Sequence, residues 1–173
     1  SELDAALDVP STVFTKTTVI DHDVVDDTVD IVWNGDLIVN SGIKFASRST
    51  MNLHIMGTLI VKAHVQLEAP ISITIRASSI RISQLTSIVS PRILVDAKDS
   101  AYVAASVKAG RQRGGLRSEI VSGTGCQFSA GDHLSVGPNG TVVGPHVVLL
   151  AKSVSIQAHS VVSAVGWTTC TNK

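Results

Sequence analysis

Residues 53–73 read LHIMGTLIVKAHVQLEAPISI. Four apolar triplets lie in this stretch: Leu53-His54-Ile55, Leu59-Ile60-Val61, Val65-Gln66-Leu67 and Ile71-Ser72-Ile73. They start six residues apart, and each carries bulky side chains at its first and third positions. That alternation is the period of a β-strand, with successive side chains on opposite faces. Strands of three residues cannot stand alone. A chain written this way is expected to stack on itself as a solenoid.

The pattern extends in both directions. Upstream are Val13-Phe14, Val19-Ile20, Val24-Val25, Val29 to Trp33, Leu37-Ile38-Val39 and Ile43-Lys44-Phe45. Downstream are Ile80-Arg81-Ile82, Ile88-Val89, Ile93-Leu94-Val95, Leu134-Ser135-Val136, Val142-Val143, Val147 to Leu150, Val154-Ser155-Ile156 and Val161-Val162. Strands taken in threes give coils starting at Leu37, Leu59, Ile80, Tyr102, Leu134 and Val154. The steps are 22, 21, 22, 32 and 20 residues.

The long step holds an inserted loop near 109–127. The spacing predicts an all-β fold, a right-handed parallel β-helix with about 20–22 residues per coil. A left-handed hexapeptide helix is the rival. It asks for one apolar residue in six, whereas these triplets point two bulky residues inward. Residues 1–12 read as a leader or N-terminal cap, and 13–173 as one solenoid domain.

Leu37, Leu59 and Ile80 should stack, as should Val39, Val61 and Ile82. Lys44, His54, Gln66, Ser72, Arg81, Ser135 and Ser155 should face outward. Ile38, Ile60 and Leu94 also fall on outward positions and are candidates for lateral contact.

Composition narrows the function. The chain has 173 residues, enough for one domain with a core. Hydrophobic residues are 44% and charged residues 16%, which excludes a disordered chain. Aromatics are only 3%, so the core is aliphatic and the exposed Trp and Tyr of a sugar cleft are scarce. Acidic and basic residues balance at 14 each, leaving no global field to steer nucleic acid. No apolar run reaches the ~18 residues of a membrane span. Residues 1–10 lack the charged and apolar regions of a signal peptide, as expected if one has been removed or if the chain is part of something longer.

The charges are unevenly placed. Asp21, Asp23, Asp26, Asp27 and Asp30 fall within ten residues. Close carboxylates can hold Ca²⁺, but the glycine-bearing calcium loop is missing. Two acidic turns between strands is the plainer reading. Lys108, Arg111, Arg113 and Arg117 form a basic stretch among glycines. No aromatic is interleaved to stack on bases, so a solvated loop comes first and an acidic partner second. That partner could be a second copy presenting Asp21, Asp23, Asp26 and Asp27.

Asp132-His133 and Asp96 with Asp99 are the nearest approach to an acid–base pair. No cluster converges across consecutive coils, and the six histidines show no metal spacing. No catalytic residue, cofactor or metal is assigned. Cys126 and Cys170 could form one disulfide. In this register they fall about two coils apart, beyond the ~7 Å Cα limit, so the bridge needs a folded-back tail or a different register, and a bond to a neighbouring chain is the alternative. Asn139-Gly140-Thr141 is a possible glycosylation acceptor.

The stretch GDHLSVGPNGTVVGPHVVLLAKSVSIQAHSVVSAVG, residues 131–166, resembles coils of large secreted β-helical surface proteins. These are the filamentous-haemagglutinin and autotransporter-like bacterial exoproteins and the giant extracellular proteins of protists. The resemblance implies a structural or adhesive scaffold, or filament subunit, at the cell surface or outside the cell. Its partners would be copies of itself or neighbouring segments of a larger protein, assembled end to end or laterally. It carries over no catalytic residue. The alternative is a carbohydrate-binding or polysaccharide-degrading β-helix using Asp96, Asp99 or Asp132. Nucleic acid binding by residues 108–117 is the weakest of the three.

Overall fold

The structure, a computed structural model, describes residues 16–109 and 125–164. The described residues form eighteen β-strands and no helix. The leader 1–12, the strand expected at Val13-Phe14, Arg111, Arg113, Arg117 and Cys170 lie outside them.

The strands wind in triangular coils, and each face of the triangle is a parallel ladder. The first face stacks β1 (Lys16–Ile20), β4 (Gly35–Val39), β7 (Thr58–Val61), the second half of β9 (Ser72–Ile82), the second half of β11 (Arg92–Val103), β14 (His133–Val136) and β17 (Ser153–Ile156). The second face stacks β2 (Val24–Asp26), β5 (Lys44–Ser47), β8 (Gln66–Glu68), β10 (Ser87–Ser90), β12 (Ser106–Ala109), β15 (Thr141–Val143) and β18 (Val161–Ser163). The third stacks β3 (Val29–Trp33), β6 (Thr50–Ile55), the first halves of β9 and β11, β13 (Gly125–Ala130) and β16 (Val147–Leu150). β9 and β11 run unbroken through the bend between the third and first faces, so those two faces form one sheet of eleven strands. The second face is a sheet of seven. The protein is a parallel β-solenoid of about six turns.

The register confirms the core stacking. Leu37 pairs with Leu59 and Leu59 with Ile80; Val39 pairs with Val61 and Val61 with Ile82. All six are buried. Removing one such side chain by Leu59→Ala belongs to the class of change that costs about 2–5 kcal/mol. The bulkiest buried residues include Phe45, Phe128, Leu37, Leu53 and Ile73, and the core runs as one mostly aliphatic column from Ile20 to Val142.

Three details depart from the sequence reading. The fifth coil starts at Ala101, which pairs with Ile80, and not at Tyr102. Tyr102 faces outward and pairs with Arg81. The extra residue is absorbed by a register shift between Ala97 and Ser100. Ile71 is 54% exposed, because the strand begins at Ser72 and its inward set is Ile73, Ile75 and Ala77. The insertion is shorter than 109–127: Ala109 ends β12, and Gly125, Cys126 and Gln127 already belong to β13.

The corners differ in kind. The corner between the first and second faces repeats one left-handed residue in five coils. These are Gly42, His64, Leu85, Asn139 and His159, with φ of 78°, 62°, 63°, 64° and 60°. In the later coils it is a closed β-turn. Gly140 N donates to Gly137 O at 3.0 Å, and Ser160 N to Gln157 O at 3.2 Å. Pro138 at the second place and Asn139 with positive φ at the third match a type II turn. The next residue, Ile43, Val65, Thr86 or Gly140, turns inward and is buried. The corner between the second and third faces has no such constancy. It is Asp27-Thr28, Arg48-Ser49, Ala69 to Ile71, Pro91 alone, residues 110–124, and Gly144 to His146 in successive coils.

Candidate functional site

The acidic run lies on the first coil, and two of its five carboxylates, those of Asp23 and Asp27, bond to the next coil. Asp23 Oδ1 accepts from Lys44 N at 2.9 Å. Asp27 Oδ1 accepts from Arg48 Nη1 at 2.9 Å, and its carbonyl accepts from Ser49 Oγ at 2.6 Å. Asp21 pairs with His22 at 3.3 Å. Asp26 lies in β2 and Asp30 faces outward on β3. Asp23 and Asp27 therefore fasten one coil to the next where the ladder is interrupted. Of the basic stretch, Lys108 is described. It is exposed on the outer side of β12.

The acid–base candidates do not converge. Asp132 and His133 are neighbours that point to different partners. Asp132 approaches Lys152 Nζ at 3.9 Å. His133 Nδ1 meets Ser153 Oγ at 2.6 Å, and its Nε2 meets Ser155 Oγ at 3.3 Å. Asp96 sits on the third face and accepts from Ser129 Oγ at 2.8 Å. Asp99 lies in the register shift of β11, and its carbonyl accepts from Asp132 N at 2.8 Å. His133 with Ser153 and Ser155 is an exposed polar ladder on a flat face. Among the described residues no group of three or more His, Cys, Asp or Glu is placed to hold a metal ion.

Ser135 is outward by register yet buried. Ser155 Oγ donates to its hydroxyl at 3.2 Å and Gln157 Nε2 at 2.9 Å. Ile38 and Ile60 are register partners on the first face and extend a row begun by Val19. Leu94 lies on the third face, so the three aliphatics do not share one lateral surface.

Cys126 is a free thiol, buried in β13 and packed in the core. Burial pushes its pKa up to about 11. An inward thiol offers nothing to a neighbouring chain unless the coil opens. Asn139 is exposed at the third place of its turn, where its side chain is accessible.

A trough of about 520 Å³ runs along the third face at its edge with the variable corner. Two outward rows form it. One row, in register, is Ser72, Arg92, Gly125 and His146; the other is Thr74, Leu94, Gln127 and Val148. Arg92, Gln127 and His146 stand out only once the strands are in register. In the sequence they are scattered across three coils and 55 positions, and no motif joins them.

The last described coil differs from every coil beneath it. Val154 and Ile156 are the register partners of Leu134 and Val136. The lower pair is 0% and 1% exposed; the upper pair is 42% and 53% exposed. At the other end, Ile20, Val24, Val29 and Ile31 of the first coil are all buried.

By architecture the chain is a β-solenoid protein. No protein-family model matches it, and neither curated proteins nor solved structures yield a match. Fold and surface chemistry therefore carry the functional argument.

Proposed function

We propose that the chain is a structural β-helix, an extracellular scaffold or filament subunit that associates through its end coil. The carrying observation is the apolar, inward-pointing pair Val154 and Ile156, left open at the C-terminal end of the described solenoid. In each lower coil the same two positions are covered by the next rung. Among the described residues β16 and β17 carry no further rung, and such strand edges are templates for further strands. Aliphatic side chains and strand edges together suit another coil as occupant. The resemblance of residues 131–166 to secreted surface β-helices is the ground for the extracellular setting.

The two ends are not equivalent. Buried side chains in the first coil direct association to the C-terminal end, and the Val19, Ile38 and Ile60 row offers a lateral route. Sedimentation velocity over a wide concentration range tests the reading, with electron microscopy to distinguish pairs from filaments. The expected result is concentration-dependent association that a Val154→Asp, Ile156→Asp variant abolishes. A monomer at every concentration, or association unchanged in the variant, overturns it.

A further inference from the structure

We propose that the trough on the third face binds a small amphipathic oxyanion, an organic carboxylate or phosphate monoester with a short apolar body. The argument begins with Gly125. Arg92, Gly125 and His146 occupy one outward row on three successive rungs. Rungs lie about 4.8 Å apart, so a guanidinium and an imidazole flank a gap of about 9–10 Å with no side chain on its floor. The gap is built into the backbone. Gly125 has φ +153°, and a Cβ there would lie 2.6 Å from the His146 carbonyl oxygen. Its amide bonds downward to Pro91 O at 3.0 Å, which fixes it between the two rungs.

The lining supplies hydrogen-bond donors without a competing acid. Arg92, His146, the Gln127 amide and the Ser72 and Thr74 hydroxyls can all donate. No carboxylate lines the trough among the described residues. Asp96, the nearest acid along β11, is engaged by Ser129. Arg92 is exposed and has no ion pair among the described residues, in contrast to Arg48 with Asp27. A guanidinium with its fork free is the side chain best fitted to a planar or tetrahedral oxyanion.

The second row sets the rest of the ligand. Leu94 and Val148 stand on either side of Gln127, so an apolar wall runs beside the charged row. The volume falls within the range of small-ligand sites, roughly 300–1,000 Å³, and far exceeds what a bare ion fills. A charged head over the Gly125 gap and a short chain against Leu94 and Val148 satisfies both rows.

His146 and Val148 border or lie on β16, the last described rung of the third face, but Val154 and Ile156 do not line the trough. The Val154→Asp, Ile156→Asp variant should therefore bind the ligand as the parent does, which keeps this test separate from that of assembly. Hexanoate, hexyl phosphate and hexanol are titrated into the full chain and followed by calorimetry and by NMR shifts of residues lining the trough. Saturable binding of hexanoate, of hexyl phosphate or of both is expected, with hexanol at least tenfold weaker. The stronger of the two anions identifies the head group. Arg92→Gln should weaken that anion about tenfold, and so should Val148→Glu, which sets a like charge on the apolar wall. Arg76→Gln, on the same face outside the trough, should leave it unchanged. Circular dichroism checks that each variant is folded. No saturable binding of either anion, equal binding of hexanol, or undiminished binding by both trough variants overturns the proposal.

Discussion

Arg81 lies over the ring of Tyr102 on the adjacent rung, with its guanidinium carbon 4.8 Å from the ring centroid. The ring extends over Gly137 on the following coil, where a Cβ would lie 2.5 Å from the phenol oxygen. One aromatic thus bridges three rungs on the outer surface. Its place depends on the missing side chain at 137.

A double-mutant cycle measures that bridge. Arg81→Gln and Tyr102→Leu should couple by about 0.5–1 kcal/mol in denaturant unfolding, the scale of an exposed cation–π contact. Gly137→Ala should displace the ring and remove the coupling while leaving the core intact. Additive single mutants would show that the contact contributes nothing.

Leu85 occupies the left-handed corner position with φ 63° and is 68% exposed. A non-glycine residue there is strained, and this one recovers little by burial. Leu85→Gly should raise stability by about 0.5–1 kcal/mol, the strain relieved exceeding the added freedom of the unfolded chain. Thermal and urea unfolding read this directly. A destabilised variant would mean that the leucine side chain contributes more than its exposure suggests.

Ser90 is buried in β10, and its hydroxyl has no hydrogen-bond partner among the described residues. Its register partner on β12 is Ala109. Ser90→Ala removes an unsatisfied polar atom at almost no cost in volume. The variant should be as stable as the parent or up to about 1–2 kcal/mol more stable. A loss above about 1 kcal/mol in urea unfolding would show that the hydroxyl is paired in solution.

Cys126 links stability to alkaline pH. Its folded pKa is raised by burial from 9.0 to about 11. The protonated thiol is therefore favoured by folding. Its contribution is full below pH 9 and is lost as pH rises toward 11, because the unfolded chain releases its proton first. Unfolding free energy should fall across that window, and the fall should be smaller in Cys126→Ala. At pH 8 the native thiol should react with an alkylating reagent far more slowly than the urea-unfolded chain. Equal rates would place Cys126 at the surface.

The two-residue period of the apolar triplets revealed the coil, and the Leu37–Leu59–Ile80 column was legible in it. The pattern misleads where size and direction part company. Tyr102 is bulky and points out; Ala101 is small and points in. The fifth coil buries Ala101, Ala104, Ala105, Ala109 and Ala130, and alanine leaves almost no hydrophobic signal to count. Ile71 misleads for the converse reason, since it is bulky but sits in the corner after Pro70. The trough was not legible at all. Arg92, Gln127 and His146 become neighbours through ladder register, which depends on corner lengths that vary from one residue to many.

Those corner lengths have a consequence for how such a chain can change. Between the second and third faces the connection is a single residue, Pro91, in one coil and residues 110–124 in the next. The rungs on either side still pair, with Ile93 on Cys126 and Val95 on Phe128. New sequence can therefore enter at this one edge of the triangle without altering any buried contact, and every coil offers a port there. The opposite corner, held to a left-handed residue and a fixed length in five coils, offers none. Variation among such proteins should accumulate along a single longitudinal seam, the same seam that borders the trough.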